Sequence, residues 1–130
     1  MLSAETEIRV RYAETDKMGV VYYANYFVWF EIGRTDLMAK AGMSYDKMED
    51  EGYFLPVLEA KADYKSPAKY GDVLFLETKV RLLKGFKIYI DYKISKESVE
   101  VASGATVNAF LGPDWKPVRP PRYFLDSLGN

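Results

Sequence analysis

The stretch that most constrains the fold runs from Asp16 to Arg34, Asp-Lys-Met-Gly-Val-Val-Tyr-Tyr-Ala-Asn-Tyr-Phe-Val-Trp-Phe-Glu-Ile-Gly-Arg. From Tyr26 to Ile32 every residue except Glu31 is apolar or aromatic. A helix with no clear polar face is normally buried, so this stretch predicts a helix from residue 26 to about 41 that something else must wrap. The only segment long enough to do so is 53–111, where apolar residues recur at period two. The expected fold class is therefore α+β, with one curved antiparallel sheet around one long central helix.

The periodicity locates the strands. Ile8, Val10 and Tyr12 alternate with polar residues and give a first strand over 6–12. Leu58, Ala60, Ala62 and Tyr64 give a second, and Pro56 sets its start at an edge or bulge. Leu74, Leu76, Thr78, Val80 and Leu82 lead through Lys84-Gly85 to Phe86, Ile88, Ile90, Tyr92 and Ile94, which reads as a long hairpin. Val99, Val101, Ala105, Val107, Ala109 and Leu111 supply the last strand. Asn25 is placed as the N-cap of the central helix and Gly42 as its C-terminal stop. Ser44 caps a second, short helix outside the core, and the tail from Trp115 onward shows no core period. Without an internal repeat or linker, residues 1–130 read as a single domain.

A single-helix core leaves a surplus of apolar surface when the chain carries 11 tyrosines, 7 phenylalanines and 2 tryptophans. Such surplus usually meets another subunit, so a homo-oligomer, dimer or tetramer, is expected. The 18 basic and 19 acidic residues are well mixed, which gives no footprint for nucleic acid or for a charged membrane surface. No apolar run approaches the ~18 residues of a membrane span, and Met1-Leu2-Ser3-Ala4-Glu5 does not resemble a signal peptide. A cytoplasmic protein is expected.

Cysteine and histidine are both absent. That removes disulfides, thiolate nucleophiles, imidazole metal ligands and every Ser-His-Asp or Cys-His arrangement. No metal site and no cofactor is expected, and any chemistry rests on carboxylates, tyrosines, lysines and backbone dipoles. Thr15-Asp16 reads first as a turn pair, since aspartate favours turns and caps. It also stands just before the central helix, where free N–H groups and the positive end of the dipole gather.

Tyr12-Ala13-Glu14-Thr15-Asp16, Gly19-Val20-Val21-Tyr22-Tyr23-Ala24-Asn25-Tyr26, Phe30-Glu31-Ile32-Gly33-Arg34 and Ser66-Pro67-Ala68-Lys69-Tyr70-Gly71-Asp72 occur in that order. The pattern resembles the 4-hydroxybenzoyl-CoA thioesterase-like branch of the hotdog fold, including the short-chain acyl-CoA thioesterases of bacteria. The resemblance covers nearly the whole chain. It implies hydrolysis of an acyl-CoA thioester, of short-chain or aromatic acyl type, by the carboxylate of Asp16. That group would either attack the carbonyl or act as base toward water. It also implies that the backbone N–H of Tyr23 polarises the thioester oxygen. Many of the short-chain enzymes have histidine where this chain has Tyr23, which leaves acyl preference open and argues against histidine-assisted hydrolysis. Hotdog hydratases rely on a histidine that is absent here, so they fit less well. A non-catalytic acyl-CoA-binding module is the other reading.

Three further residues are candidates for substrate contact. Glu31 stands three residues before Arg34, which suggests a helix-side ion pair first and a substrate contact second. Lys84 and Lys87 flank the hairpin turn, where lysines are usually just solvated; the CoA phosphates that the resemblance implies would give them a partner.

Overall fold

A computed structural model describes residues 1–129. Five strands, β1 (Ser3–Arg9), β2 (Val57–Tyr64), β3 (Val73–Lys84), β4 (Lys87–Lys96) and β5 (Val99–Ala109), form one sheet in the order β1-β3-β4-β5-β2. Every neighbouring pair is antiparallel. Helix α1 (Asn25–Lys40) lies across the sheet, chiefly over β1 and β3; α2 (Tyr45–Glu51) and α3 (Arg122–Leu128) are short.

The core follows from the alternation in the hairpin. Leu74, Leu76, Thr78 and Val80 of β3 and Ile88, Ile90, Tyr92 and Ile94 of β4 are buried beneath Trp29, Phe30, Leu37 and Met38 of α1. Each large apolar side chain so buried contributes about 1.5–3 kcal/mol against the cost of ordering the chain. Phe30 sits at the centre, stacked on Tyr92 with ring centroids 4.4 Å apart. Gly104 of β5 makes room for it, since a Cβ there would lie 2.6 Å from Phe30 Cζ and from the Lys61 carbonyl.

Sheet wraps helix on one side only. Tyr26, Trp29, Phe30, Gly33, Leu37 and Met38 are buried, but Val28 and Ile32 on the opposite face are 48% and 41% exposed. The expected all-round burial is corrected accordingly: five strands cover one flank of α1, and the apolar outer flank is left open within one chain. β2, an edge strand with only β5 beside it, is exposed on both faces, Val57 and Leu58 included.

Two register shifts alter the expected strand faces. One between Val80 and Leu82 turns Leu82 outward. Another, between Ile94 and Ser95 where β4 meets β5, leaves Ala102, Thr106 and Asn108 buried, while Ala105 and Val107 are only half-buried. Bulges move a strand by one residue, and one residue exchanges its faces. The first strand ends at Arg9, so Tyr12, expected inside, opens a 3-10 turn and is exposed.

Ser44 caps α2 by accepting from Lys47 N, and no α2 residue is buried, as expected for a helix outside the core. The tail departs from expectation. It ends in α3, which buries Phe124 and Leu128, and Phe124 packs against Phe110 at 5.2 Å between ring centroids.

Candidate active site

The candidate carboxylate sits at the tip of a small hairpin between β1 and α1. Tyr22 N donates to the Glu14 carbonyl at 2.8 Å, Thr15 pairs with Val21, and Asp16 N donates to the Val20 carbonyl at 2.8 Å. Gly19, at φ +84°, supplies the left-handed position that closes the turn. The hairpin is docked on the sheet through Val21 N to the Ala68 carbonyl and a bridge between Val20 and Lys69. Thus the segment around Ala68 and Lys69 is the seat of the Asp16 loop.

Asp16 fulfils its turn role with one oxygen. Oδ1 accepts from Met18 N at 2.8 Å and from Val20 N at 3.4 Å. Oδ2 accepts nothing among the described residues, and Asp16 lines an open cleft of about 660 Å³ with Tyr12, Thr15, Lys17, Tyr22 and Asn25. A carboxylate anchored by one oxygen and free at the other is held in orientation yet available for chemistry.

The start of α1 supplies donors. The N-cap is Ala24, without any side-chain cap, and Asn25 is the first helical residue rather than the cap expected from sequence. Its side-chain amide instead donates to the Glu14 carbonyl at 2.8 Å. Tyr22 O accepts from Asn25 N at 2.9 Å and Tyr23 O from Tyr26 N at 3.3 Å, so both carbonyls point into the helix. In a planar trans peptide the N–H points opposite to the carbonyl, so the N–H groups of Tyr23 and Ala24 face outward. Neither donates to a protein acceptor among the described residues. Uncapped amides at a helix N-terminus form a ready-made site for a developing negative charge.

Aromatic rings surround this start. Tyr23, Tyr26 and Tyr64 pack edge to face, and they line a second cleft of about 260 Å³ with Val20, Val21, Lys65, Ser66 and Pro67. The Tyr64 hydroxyl donates to the Tyr23 carbonyl at 3.3 Å. Burial, then repulsion from Tyr64, raises the Tyr26 phenol above its ordinary value; burial, then Tyr23, raises that of Tyr64. These phenols stay protonated at neutral pH and are donors, not bases.

The family described as the thioesterase-like superfamily matches residues 10–123, which includes both the Asp16 hairpin and the whole sheet from β2 to β5. The chain belongs to the thioesterase-like superfamily. Among its relatives, the putative acyl-CoA thioesterase YneP of Bacillus subtilis is 43% identical over 103 residues, 79% of this chain and 75% of that protein. The solved structure of a DHNA-CoA thioesterase from Staphylococcus aureus superposes with a TM-score of 0.88 at 37% identity, covering 99% of this chain and 88% of that one. A 4-hydroxybenzoyl-CoA thioesterase, at 18% identity, superposes with a TM-score of 0.89 over 98% of this chain and 99% of that one. The fold is the hotdog, as the resemblance implied.

Within this thioesterase-like chain the remaining candidate residues disperse. Glu31 is exposed and makes no ion pair with Arg34, contrary to the pairing read from their spacing. Arg34 turns inward instead, and its guanidinium donates to the Tyr92 hydroxyl at 3.0 Å, which in turn shares a 2.7 Å hydrogen bond with Thr106. Tyr92 offers a buried oxygen that needs a donor, whereas an exposed Glu31 is already solvated. Both residues still line a cleft of about 330 Å³ between α1 and β2.

Lys84 and Lys87 close the β3–β4 hairpin at the end remote from Asp16. The Asp16 loop is anchored at residues 68–72, ahead of β3, and the 12 residues of that strand span roughly 35 Å. One chain does not bring these lysines to the Asp16 cleft. Lys87 instead approaches the Phe86 ring, 6.0 Å from its centroid.

Sequence reasoning missed Glu14. In a run of polar residues it looks solvated, yet it is only 6% exposed and its carboxylate accepts from Trp29 Nε1 at 2.9 Å. The available signal was the tryptophan 15 residues downstream, whose indole N–H needs an acceptor when buried.

Proposed function

We propose that residues 1–130 form a single-domain acyl-CoA thioesterase that releases free acid and CoA from short-chain or aromatic acyl-CoA. What carries it is a half-free Asp16 carboxylate in a cleft shared with Tyr22 and Asn25, at the start of α1 where the Tyr23 and Ala24 amides have no partner among the described residues; the Tyr23 side chain itself lines the neighbouring cleft. Membership of the thioesterase-like superfamily and the names of its relatives support the reading.

In this reading the thioester carbonyl oxygen lies on the Tyr23 N–H, whose hydrogen bond strengthens as the oxygen becomes an alkoxide. Asp16 either attacks the carbonyl carbon, giving a mixed anhydride that water then opens, or removes a proton from a water molecule that attacks directly. In both routes the C–S bond breaks with its electron pair on sulfur. A thiol of pKa near ~8.5 is a good leaving group, so no imidazole acid is required. Tyr23 contributes through its backbone, which explains how tyrosine serves at this position without histidine.

Glu31 is proposed as a substrate contact, since it is exposed beside a cleft lined by Phe27, Val28 and Phe30. Contact of Lys84 or Lys87 with CoA phosphates requires a second copy of the chain to bring the hairpin end near the site. The open apolar flank of α1 and the unpaired edge of β2 support a homo-oligomer, dimer or tetramer, with the cleft near the subunit contact. No helix among the described residues is long and apolar enough to cross a membrane.

The testing experiment is thiol trapping on a panel of aliphatic and aromatic acyl-CoA thioesters. Steady release of CoA thiol is expected for at least one of them. Saturable binding without release from any would support the non-catalytic module instead.

A further inference from the structure

We infer that Glu14 is the positioning residue that sets Asp16 against the free amides of α1. The inference rests on the reading of Asp16 as the reacting carboxylate. Glu14 is the one residue in the hairpin whose main chain and side chain both reach the helix. Its carbonyl accepts from Tyr22 N and from Asn25 Nδ2, each at 2.8 Å, which ties it to the first residue of α1 and to the residue just before Tyr23. Its carboxylate accepts from Trp29 Nε1 at 2.9 Å, one turn further along the same helix. The other carboxylate oxygen accepts from Arg11 N at 2.8 Å and closes the 3-10 turn in which Glu14 lies.

Asp16 follows two residues later and Tyr23 one residue after the far anchor. Alongside the pairing of Asp16 with Val20 and the docking of Val21 on Ala68, the bonds that converge on Glu14 therefore tie the hairpin that carries Asp16 to the helix start that carries the Tyr23 amide. The Arg11 guanidinium adds little, because it stands 3.5 Å away and is 74% exposed. Leaving either of its two N–H donors unpaired is costly, so the buried carboxylate holds the hairpin and the helix firmly in one relative geometry. Displacement of a reacting group by about 1 Å can cost ~10²-fold in rate.

The decisive substitution is Glu14→Gln. A glutamine keeps the shape and one acceptor oxygen, but its NH2 end opposes an N–H from either Trp29 or Arg11, so one arm of the staple must swing away. With the best acyl-CoA of the panel, kcat is expected to fall about 30- to 100-fold while KM changes less than threefold, with the unfolding midpoint showing that the chain remains folded. The same change made in an Asp16→Asn background is expected to alter kcat less than threefold, because no reacting carboxylate remains to be positioned. Asn25→Ala, which removes the link made by a partly exposed side chain that also lines the Asp16 cleft, is the second variant and is expected to lower kcat about 3- to 10-fold at constant KM, a raised KM being the sign of lost substrate contact instead.

Parental kcat in both Glu14→Gln and Asn25→Ala overturns the proposal, as does an equal loss with and without Asp16. If Glu14→Gln does not fold, Asn25→Ala and its double variant with Asp16→Asn decide by the same criteria. Parental turnover by Asp16→Asn alone refutes the catalytic reading itself, so the two failures are distinguishable.

Discussion

Replacing Gly33 by alanine sets two effects of opposite sign against each other. In a helix interior alanine is favoured over glycine by roughly 1 kcal/mol, so propensity alone predicts a more stable protein. Packing predicts the reverse. Gly33 is buried where α1 crosses β3, and a Cβ there would overlap Thr78 Oγ1 and lie 2.6 Å from Leu76 Cδ2. Both neighbours are fully buried, and Thr78 is β-branched with little rotamer freedom. Overpacking of a tight core costs about 1–3 kcal/mol, and the upper half of that range applies when two side chains must move. The net expectation is a loss of about 1–2 kcal/mol.

For a 130-residue chain an unfolding entropy of about 2.1 cal/mol/K per residue converts that loss to a fall in Tm of roughly 4–7 °C. Urea unfolding at a fixed protein concentration, followed through the fluorescence of buried Trp29, measures it without confusion from mass action. The cause is identified by Gly33→Ala combined with Thr78→Ala. Thr78 Oγ1 has no hydrogen-bond partner among the described residues, so its removal leaves no donor or acceptor stranded. The double variant is expected to be at least ~1 kcal/mol more stable than the sum of the two single losses. A Gly33→Ala protein as stable as the parent, or more so, refutes the close seating of α1 on β3.

Phe30→Asp would place an uncompensated charge against Tyr92 and Gly104, and a loss of more than ~4 kcal/mol is expected, read as absence of a cooperative unfolding transition. Asp72 carries a pH test: the Lys69 backbone N–H, then the Lys96 ammonium at 2.9 Å, hold its carboxyl below the usual carboxylate range. A depressed folded value stabilises above the unfolded value near ~3.9 and is lost as pH falls through the folded value. Asp72→Asn should therefore weaken the protein at pH 7 and converge with the parent below about pH 4; an equal deficit at pH 7 and pH 3 would contradict it. Sedimentation at micromolar concentration should give at least a dimeric mass, and Ile32→Glu, on the open flank of α1, should shift it toward monomer. A monomeric parent would sink the oligomer proposal.

The parts of the fold legible in the sequence were those in which one physical pattern runs uninterrupted. The β3–β4 hairpin was read from alternation alone because Leu74 to Val80 and Ile88 to Ile94 keep one phase on one buried face. Ser44 was readable because its hydroxyl caps α2 locally. Phase is lost where a bulge intervenes: simple alternation puts Leu82, Ala105 and Val107 on the buried face, and neither shift is marked by glycine or proline at the point of slip. Thr106 and Asn108 are invisible in the sequence as core residues, because the groups that they meet come from elsewhere in the chain. Thr106 shares its hydroxyl hydrogen bond with Tyr92, and Asn108 Nδ2 donates to the Leu55 carbonyl, while Asn108 Oδ1 has no partner among the described residues.

The candidate site was legible in its local part and not in its assembled part. Asp16 and Gly19 belong to one turn, and the Tyr23 amide follows from the helix start. Glu14 depends on Trp29, and Arg34 on Tyr92 some 58 residues away, which is tertiary information. Lys84 and Lys87 stand out in the sequence by their charge beside a hairpin turn, and neither property reveals which end of a long hairpin faces the site.

The central claim is that the Asp16 carboxylate and the Tyr23 backbone amide carry thioester hydrolysis. It is tested most directly by the rate of CoA thiol release at saturating substrate, compared between the parent, Asp16→Asn and Tyr23→Phe. Asp16→Asn retains shape and turn contacts but removes the charge, and kcat is expected to fall at least ~10²-fold with an unchanged unfolding midpoint. Tyr23→Phe preserves the N–H and should leave kcat within about tenfold of the parent. Parental turnover by Asp16→Asn would contradict the account, and a Tyr23→Phe loss as large as that of Asp16→Asn would transfer the oxyanion role from the amide to the phenol.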